Sequence, residues 1–170
     1  MTAPDASFEL TKERIAQAKV ILVDDDPLVT TALANLLFLE LDIEAISFNE
    51  PRKALDYLGS DRVEVIISDF LMPDVDGIEL LRAARSTQPE VPRILLTGYA
   101  DKENAIKAIN EVQLFQYVEK PWDNAQLMNV VRAGLERQHL IRTLYATIEQ
   151  LERSERNLTA LRRGLVRAFA

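Results

Sequence analysis

The chain of 170 residues contains no cysteine and only one histidine, His139. The absence of cysteine excludes disulfide bonds, thiolate metal ligands and cysteine catalysis, and it suits a reducing compartment. The N-terminus is polar and carries no signal-peptide pattern. No apolar run approaches the roughly 20 residues of a membrane-spanning helix. We therefore expect a soluble, cytoplasmic protein.

Acidic residues outnumber basic ones, and the excess lies before residue 136. The whole chain has a net charge of −7, whereas residues 136–170 hold seven Arg and four Glu, a net +3, which leaves −10 for the residues before them. Such an acidic segment argues against direct binding to nucleic acid. The apolar share of 48% is sufficient for a packed core.

Short apolar segments alternate with helical patterns along the chain. The predicted strands are 20–23, 43–48, 63–68, 93–97 and 115–118, and the predicted helices open at Pro27, Pro51, Gly77, about Lys102 and Trp122. A further short helix capped by Thr11 precedes them. The alternation is typical of right-handed β-α-β crossovers, so the sequence predicts an α/β fold with a parallel sheet covered on both faces.

Polar residues follow four of the predicted strands. The acids 24–26 follow the first, Asp69 follows the third, Thr97 ends the fourth, and Lys120 follows the fifth. The carboxyl ends of parallel strands share one edge of a sheet, so these side chains can converge. Clustered carboxylates repel one another, and Mg²⁺ is the cation that suits a few carboxylates with a phosphate oxygen.

The same cluster predicts chemistry on a phosphoryl group. A lysine supplies a point charge for phosphate and a threonine hydroxyl supplies a hydrogen bond. A central carboxylate can attack phosphorus and form an acyl phosphate. No glycine-rich phosphate loop is present, so the donor is not expected to be a nucleotide held by this chain.

Four motifs together resemble the receiver domain of bacterial two-component response regulators. They are V-D-D-D-P, S-D-F-L-M-P-D-V-D-G, L-T-G-Y and Y-V-E-K-P, in this order. The resemblance covers residues 19–138 and implies a flavodoxin-like, doubly wound five-stranded sheet with strand order 2-1-3-4-5. It divides the chain into an N-terminal extension (1–18), the receiver (19–138) and a helical segment for dimerisation (139–170).

The resemblance also implies roles for individual residues. Asp69 corresponds to the phosphoacceptor, and it would share Mg²⁺ with Asp24, Asp25 and the backbone carbonyl of Leu71. Lys120 corresponds to the lysine that pairs with the phosphoryl group. The implied donor is a phosphohistidine on a sensor histidine kinase or a phosphotransfer protein.

In such domains a hydroxyl and an aromatic residue respond to phosphorylation. Thr97 corresponds to the hydroxyl and Tyr117 to the aromatic side chain. The change would reshape the fourth helix, fifth strand and fifth helix of the receiver and pass to an output that is absent or separate, as no output-domain signature follows.

The C-terminal segment has apolar residues at heptad spacing. Glu155 and Arg162 interrupt this seam, and a second register would use Leu161 and Ala168 instead. A helix from Trp122 to Phe169 would exceed about 60 Å, too long for this domain to bury. We expect a coiled-coil homodimer, with parallel pairing as the simplest arrangement, rather than a helix folded back on its own domain. The predicted dimerisation residues are Ile141, Leu144, Ile148, Leu151, Leu158 and Leu165.

Two other functions remain open from the sequence. One is a constitutive coiled-coil docking protein on a receiver scaffold. The other is a phosphohydrolase with an aspartyl nucleophile, although haloacid dehalogenases carry an acid where this chain has Leu71. The resemblance favours a signalling domain with no activity beyond its own phosphorylation and dephosphorylation.

Overall fold

The computed structural model describes residues 9–98 and 101–169. Tyr99 of the L-T-G-Y motif and the first eight residues of the predicted extension lie outside them. The elements, in chain order, are α1 (Lys12–Ala16), β1 (Val20–Val23), α2 (Pro27–Leu41), β2 (Ile46–Phe48), α3 (Pro51–Ser60), β3 (Val65–Asp69), α4 (Gly77–Thr87), β4 (Arg93–Thr97), α5 (Lys102–Val112), β5 (Gln116–Glu119) and α6 (Asn124–Ala168).

All five strands are parallel, in the order β2-β1-β3-β4-β5. This confirms the predicted α/β fold and strand order. The register pairs Val23 with Ser68, Asp69 with Leu96 and Thr97 with Glu119. The carboxyl ends of the central strands therefore lie side by side.

Each face of the sheet carries its own apolar layer, because successive strand residues point to opposite sides. Ile66 packs with residues of α3 and α4, such as Leu58 and Leu81. Its neighbour Ile67 packs on the other face with residues of α2 and α6, such as Leu37. The sheet is covered by helices on both faces, as predicted.

Several predicted boundaries were wrong by a few residues. β2 begins at Ile46 rather than 43, because Asp42 takes a left-handed φ of 58° at the end of α2 and the amide of Ile43 bonds to the carbonyl of Leu37. β3 begins two residues late, at Val65, because the amide of Val63 donates to the Gln88 side chain instead of to the sheet.

The remaining differences concern the bounds of β5 and the start of α6. β5 is Gln116–Glu119, one residue later than predicted, and α6 starts at Asn124, where Asp123 accepts from the amide of Gln126. Not every leucine of α2 is buried, since Leu28 in its first turn is 79% exposed. It lies well around the helix from the buried Leu33 and Leu37, at 100° per residue.

Short polar contacts hold the N-terminal segment and the first half of α6 to the domain. As predicted, Thr11 caps α1 through the amide of Arg14. The Arg14 guanidinium lies 3.3 Å from Nδ1 of His139. Arg142 forms an ion pair with Glu64, and the hydroxyl of Tyr145 lies 3.3 Å from Oε1 of Glu90.

Helix α6 continues unbroken across the predicted division at residue 138. Beyond Thr147 every described side chain is exposed, so half of the helix projects from the domain. In the described part of the chain, no helix is apolar enough over its length to cross a membrane.

A buried guanidinium closes the end of the sheet opposite to the polar cluster. Arg93, the first residue of β4, is only 3% exposed. Its guanidinium donates to the backbone carbonyls of Val112 (3.2 Å), Pro89 (3.0 Å), Val91 (2.9 Å) and Gln113 (3.1 Å). Burial, with Arg85 and Arg137 nearby, lowers the pKa of Arg93 to about 10, which leaves it charged at pH 7.

Candidate functional site

An ammonium group joins two strand ends at the carboxyl edge of the sheet. Nζ of Lys120 lies 3.1 Å from Oδ2 of Asp24 and 2.9 Å from Oδ1 of Asp69. Asp24 follows β1, Asp69 ends β3 and Lys120 follows β5, after which the peptide bond to Pro121 is cis. Residues separated by 96 positions in the chain are thus in direct contact.

Three carboxylates form the rest of this cluster. Asp24, Asp25 and Asp69 each offer an oxygen atom within 4.8 Å of the others. Asp24 is only 2% exposed, Asp69 is half-buried and Asp25 is open to solvent. One lysine cannot neutralise three carboxylates. An all-oxygen donor set that is partly open to water fits Mg²⁺, which keeps several water ligands.

Burial sets the electrostatics of the two inner groups. Burial raises the pKa of Asp24, and Asp69 adds to the effect, while the amide of Asp26 (2.9 Å from Oδ1) and Lys120 act against it. Burial also lowers the pKa of Lys120, but its hydrogen bonds to Asp69 and Asp24 outweigh burial and raise it above its ordinary value. The lysine is therefore a permanent cation in the site.

Asn49 holds the main chain of Asp24, and the sequence reasoning missed it. Its Nδ2 donates to the carbonyl of Asp24 at 2.9 Å and to Oγ1 of Thr30 at 3.0 Å. The amide of Asp24 donates to the carbonyl of Phe48. Asn49 directly follows β2, so the rule that polar residues matter at strand ends could have found it.

The loop after Asp69 folds tightly back on the strand end. The amide of Gly77 donates to the carbonyl of Phe70 at 2.7 Å. A Cβ at Gly77 would stand 2.0 Å from the carbonyl oxygen of Asp69. Asp76 caps α4 by accepting from the amide of Glu79 at 2.8 Å. Only glycine fits here, and the sequence reasoning had not assigned Gly77 to the site.

The other predicted site residues lie around this cluster. Thr97 is fully buried, and its hydroxyl donates to the carbonyl of Gly98 at 3.1 Å; its own carbonyl accepts from the amide of Lys120 at 2.8 Å. Tyr117 is half-buried against the apolar layer under α3 and α4. The side chain of Leu71 is 60% exposed at the mouth of the site.

We expect Asp24→Asn to raise the free energy of unfolding at pH 7 by about 1 kcal/mol, since it removes a buried charge and its repulsion from Asp69. The pKa of Asp24 is higher in the folded protein than in the unfolded chain. The wild-type protein therefore loses stability as the pH rises above 3.8, the ordinary pKa of the group. The stabilisation by Asp24→Asn relative to the wild type should therefore become smaller in acid. Urea unfolding at several pH values measures it.

Asp56→Asn is the matched control, because Asp56 is an exposed acid on α3. It should change the free energy of unfolding by less than about 0.5 kcal/mol. Mg²⁺ should raise the melting temperature of the wild type and of Asp56→Asn, but not of Asp24→Asn. An equal Mg²⁺ effect on all three proteins would contradict a role for Asp24 in holding the ion.

Comparison with known proteins agrees with this geometry. A family model described as the response regulator receiver domain matches residues 20–132. The hydrogenase transcriptional regulatory protein HoxA of Cupriavidus necator is 37% identical over 124 residues, which are 73% of this chain and 25% of that protein. The chain therefore belongs to the response regulator receiver family, and the predicted resemblance is confirmed.

Solved structures show the same fold. The structure of an adenylate cyclase from Rhodopirellula baltica has a TM-score of 0.72 at 28% identity, covering 78% of this chain and 97% of that one. The signal receiver domain of an HD domain-containing protein from Pseudomonas fluorescens has a TM-score of 0.67 at 35% identity, covering 72% and 97%. The chain matches only about a quarter of the length of HoxA.

Proposed function

We propose that this protein accepts a phosphoryl group on Asp69 from a phosphohistidine and signals through its C-terminal helix. The observation that carries the proposal is the double contact of Lys120 with Asp24 and Asp69, beside the open carboxylate of Asp25. A structural salt bridge needs one carboxylate. Three carboxylates around one lysine form a site for a divalent cation and an anion together.

The chemistry assigned to Asp69 is nucleophilic attack. A carboxylate oxygen attacks the phosphorus, the phosphorus–nitrogen bond to the donor imidazole breaks, and the imidazole leaves with a proton from solvent. The product is an acyl phosphate on Asp69 and a neutral histidine on the donor. Mg²⁺, held by Asp24, Asp25, Asp69 and the Leu71 carbonyl, would supply charge neutralisation for the phosphoryl oxygens.

Lys120 is already in place for the incoming group. Its Nζ lies 2.9 Å from the attacking carboxylate. Once Asp69 carries the phosphoryl group, its own carboxylate charge is lost and the phosphoryl oxygens bring their negative charge to the site, so the same ammonium can pair with them. Asp24 holds Lys120 on the site from the other side.

The proposed switch joins Thr97 to the surface formed by α5, β5 and α6. Among the described residues, the hydroxyl of Thr97 bonds to the neighbouring carbonyl of Gly98, and exchanging this bond for one to a phosphoryl oxygen would cost little. The amide of Lys120 donates to the carbonyl of Thr97, and Tyr117 lies on β5, half-buried on the face of the sheet that α3 and α4 cover. The proposed partners are a second copy of this chain, paired through the C-terminal helix, and a sensor histidine kinase or phosphotransfer protein.

Intact mass after incubation with acetyl phosphate and Mg²⁺ tests the proposal. We expect the wild type to gain one phosphoryl group and Asp69→Ala to gain none. Asp74→Ala is the matched control, since Asp74 is an exposed acid in the same loop and lies outside the three-carboxylate cluster. It should be phosphorylated like the wild type. Phosphorylation of Asp69→Ala, or none of the wild type, would contradict the assignment.

A further inference from the structure

The projecting half of α6 has an apolar stripe that faces away from the receiver. Leu144, Leu151, Leu158 and Leu165 are each at least 50% exposed. The residues of α6 that contact the domain, such as Leu135, Gln138 and Arg142, lie on another side of the helix. Ile141 is half-buried in a groove with Pro89 and Val91, so the free stripe starts at Leu144.

Two opposite charges interrupt this stripe. With the leucines at one core position of the heptad, Ile148, Glu155, Arg162 and Phe169 occupy the other. Neither Glu155 nor Arg162 forms an ion pair in the described part of the chain. By contrast, Arg153, which lies outside the apolar stripe, pairs with Glu149 at 2.8 Å. Both charges are thus available to a partner helix.

A parallel pair of these helices would oppose like charges. Equivalent residues face each other in parallel coiled coils, so Glu155 would meet a second Glu155 and Arg162 a second Arg162. Like charges directly opposite one another in a seam are unfavourable. The sequence expectation of parallel pairing therefore meets an electrostatic penalty at two core layers, which are separated by the layer of Leu158.

We propose that the partner is a second copy of this chain in the antiparallel orientation. This rests on the homodimer proposed above and deepens it. One register pairs Leu144 with Phe169 of the second copy, Ile148 with Leu165, Leu151 with Arg162 and Glu155 with Leu158. In this register, Glu155 of one copy and Arg162 of the other are offset by about 6 Å along the helix axis, at 1.5 Å per residue. Their side chains can span this distance.

The length of the free stripe fits the same register. The overlap runs from Leu144 to Phe169 in both copies, so it begins where contacts with the receiver end, near Tyr145. Over this overlap, from residue 144 to residue 169, neither copy of the helix contacts the receiver of the other. The exposed Phe169 gains an apolar partner, and the two receivers lie at opposite ends of the dimer.

Charge reversal separates the two orientations. In an antiparallel dimer, Glu155→Arg places two arginines together twice, so the dimer dissociation constant from sedimentation should rise about tenfold. The double variant Glu155→Arg/Arg162→Glu restores opposite charges and should return to within about threefold of the wild type. In a parallel dimer, Glu155→Arg replaces a layer of two glutamates by a layer of two arginines, so the dissociation constant should not change. An unchanged dissociation constant would therefore overturn the proposal.

Disulfide cross-linking gives a second readout, because the chain has no cysteine of its own. Leu144→Cys alone should stay unlinked, since the two copies of residue 144 would be about 38 Å apart at 1.5 Å per residue. A mixture of Leu144→Cys and Phe169→Cys should form the mixed disulfide. Self-linking of Leu144→Cys would overturn the orientation.

The full chain should be measured with and without beryllofluoride and Mg²⁺. A wild type that is monomeric in both states would overturn the dimer. The mass assay on Asp69 does not depend on the helix, so failure of the dimer and failure of the phosphoacceptor are told apart.

Discussion

Replacement of Gly77 by alanine is expected to abolish phosphorylation of Asp69 and to lower the free energy of unfolding by about 3 kcal/mol. The added Cβ would stand 2.0 Å from the carbonyl oxygen of Asp69 and 3.0 Å from a methyl group of Leu95. The first contact is with backbone, so the strand end itself must move. Asp69 would then lose its position 2.9 Å from Lys120.

Gly59→Ala is the matched control for this variant. Gly59 lies in the last turn of α3, and a Cβ there would meet nothing within 4 Å. Alanine favours a helix over glycine by up to about 1 kcal/mol, so this variant should be as stable as the wild type or more so. Urea unfolding and intact mass after acetyl phosphate give the two readouts. A Gly77→Ala protein with wild-type stability and phosphorylation would show that the loop tolerates a side chain.

Arg93→Met is expected to lower the free energy of unfolding by about 3 kcal/mol or more, because it leaves buried carbonyls without donors. The guanidinium of Arg93 satisfies four backbone carbonyls, of residues 89, 91, 112 and 113. Methionine fills similar space and donates to none of them. Arg93 lies at the end of β4 opposite to Thr97, so the folded variant should still be phosphorylated on Asp69.

Arg82→Met controls for the loss of an arginine. Arg82 pairs with Glu111 at 3.2 Å, but both side chains are more than half exposed. Exposed ion pairs contribute little, and the expected change is within about 0.5 kcal/mol. Urea unfolding compares the two variants. Equal destabilisation by both would mean that the four hydrogen bonds of Arg93 contribute no more than a surface pair.

The strand ends show how much of the site could be predicted from local sequence patterns. Apolar runs followed by acids, a threonine or a lysine predicted which residues meet at one edge of the sheet, and the structure brings Asp24, Asp69 and Lys120 into contact. Asn49 was missed although it follows a predicted strand, because its role comes from hydrogen bonds to the carbonyl of Asp24 and the hydroxyl of Thr30, which only the packing of β1 and α2 brings near it.

In the projecting half of α6, the sequence pattern did not predict which apolar residues are free to bind a partner. The heptad spacing identified an apolar stripe, but it did not show that Ile141 belongs to the groove beside Pro89 while Leu144 is free. That division depends on where α6 leaves the receiver surface. The orientation of the partner then depends on charges that matter only once two helices face each other.

By itself, the sequence determined the order of strands and helices along the chain, the helix cap Thr11, and the set of polar residues at the strand ends. These features arise from hydrogen bonds and spacing within a few residues. Only the tertiary structure decided that Gly77 touches the carbonyl of Asp69, that Arg93 is buried among four carbonyls, and that Leu28 is exposed. Each of these depends on how segments pack against one another in three dimensions, and a local sequence pattern does not specify that packing.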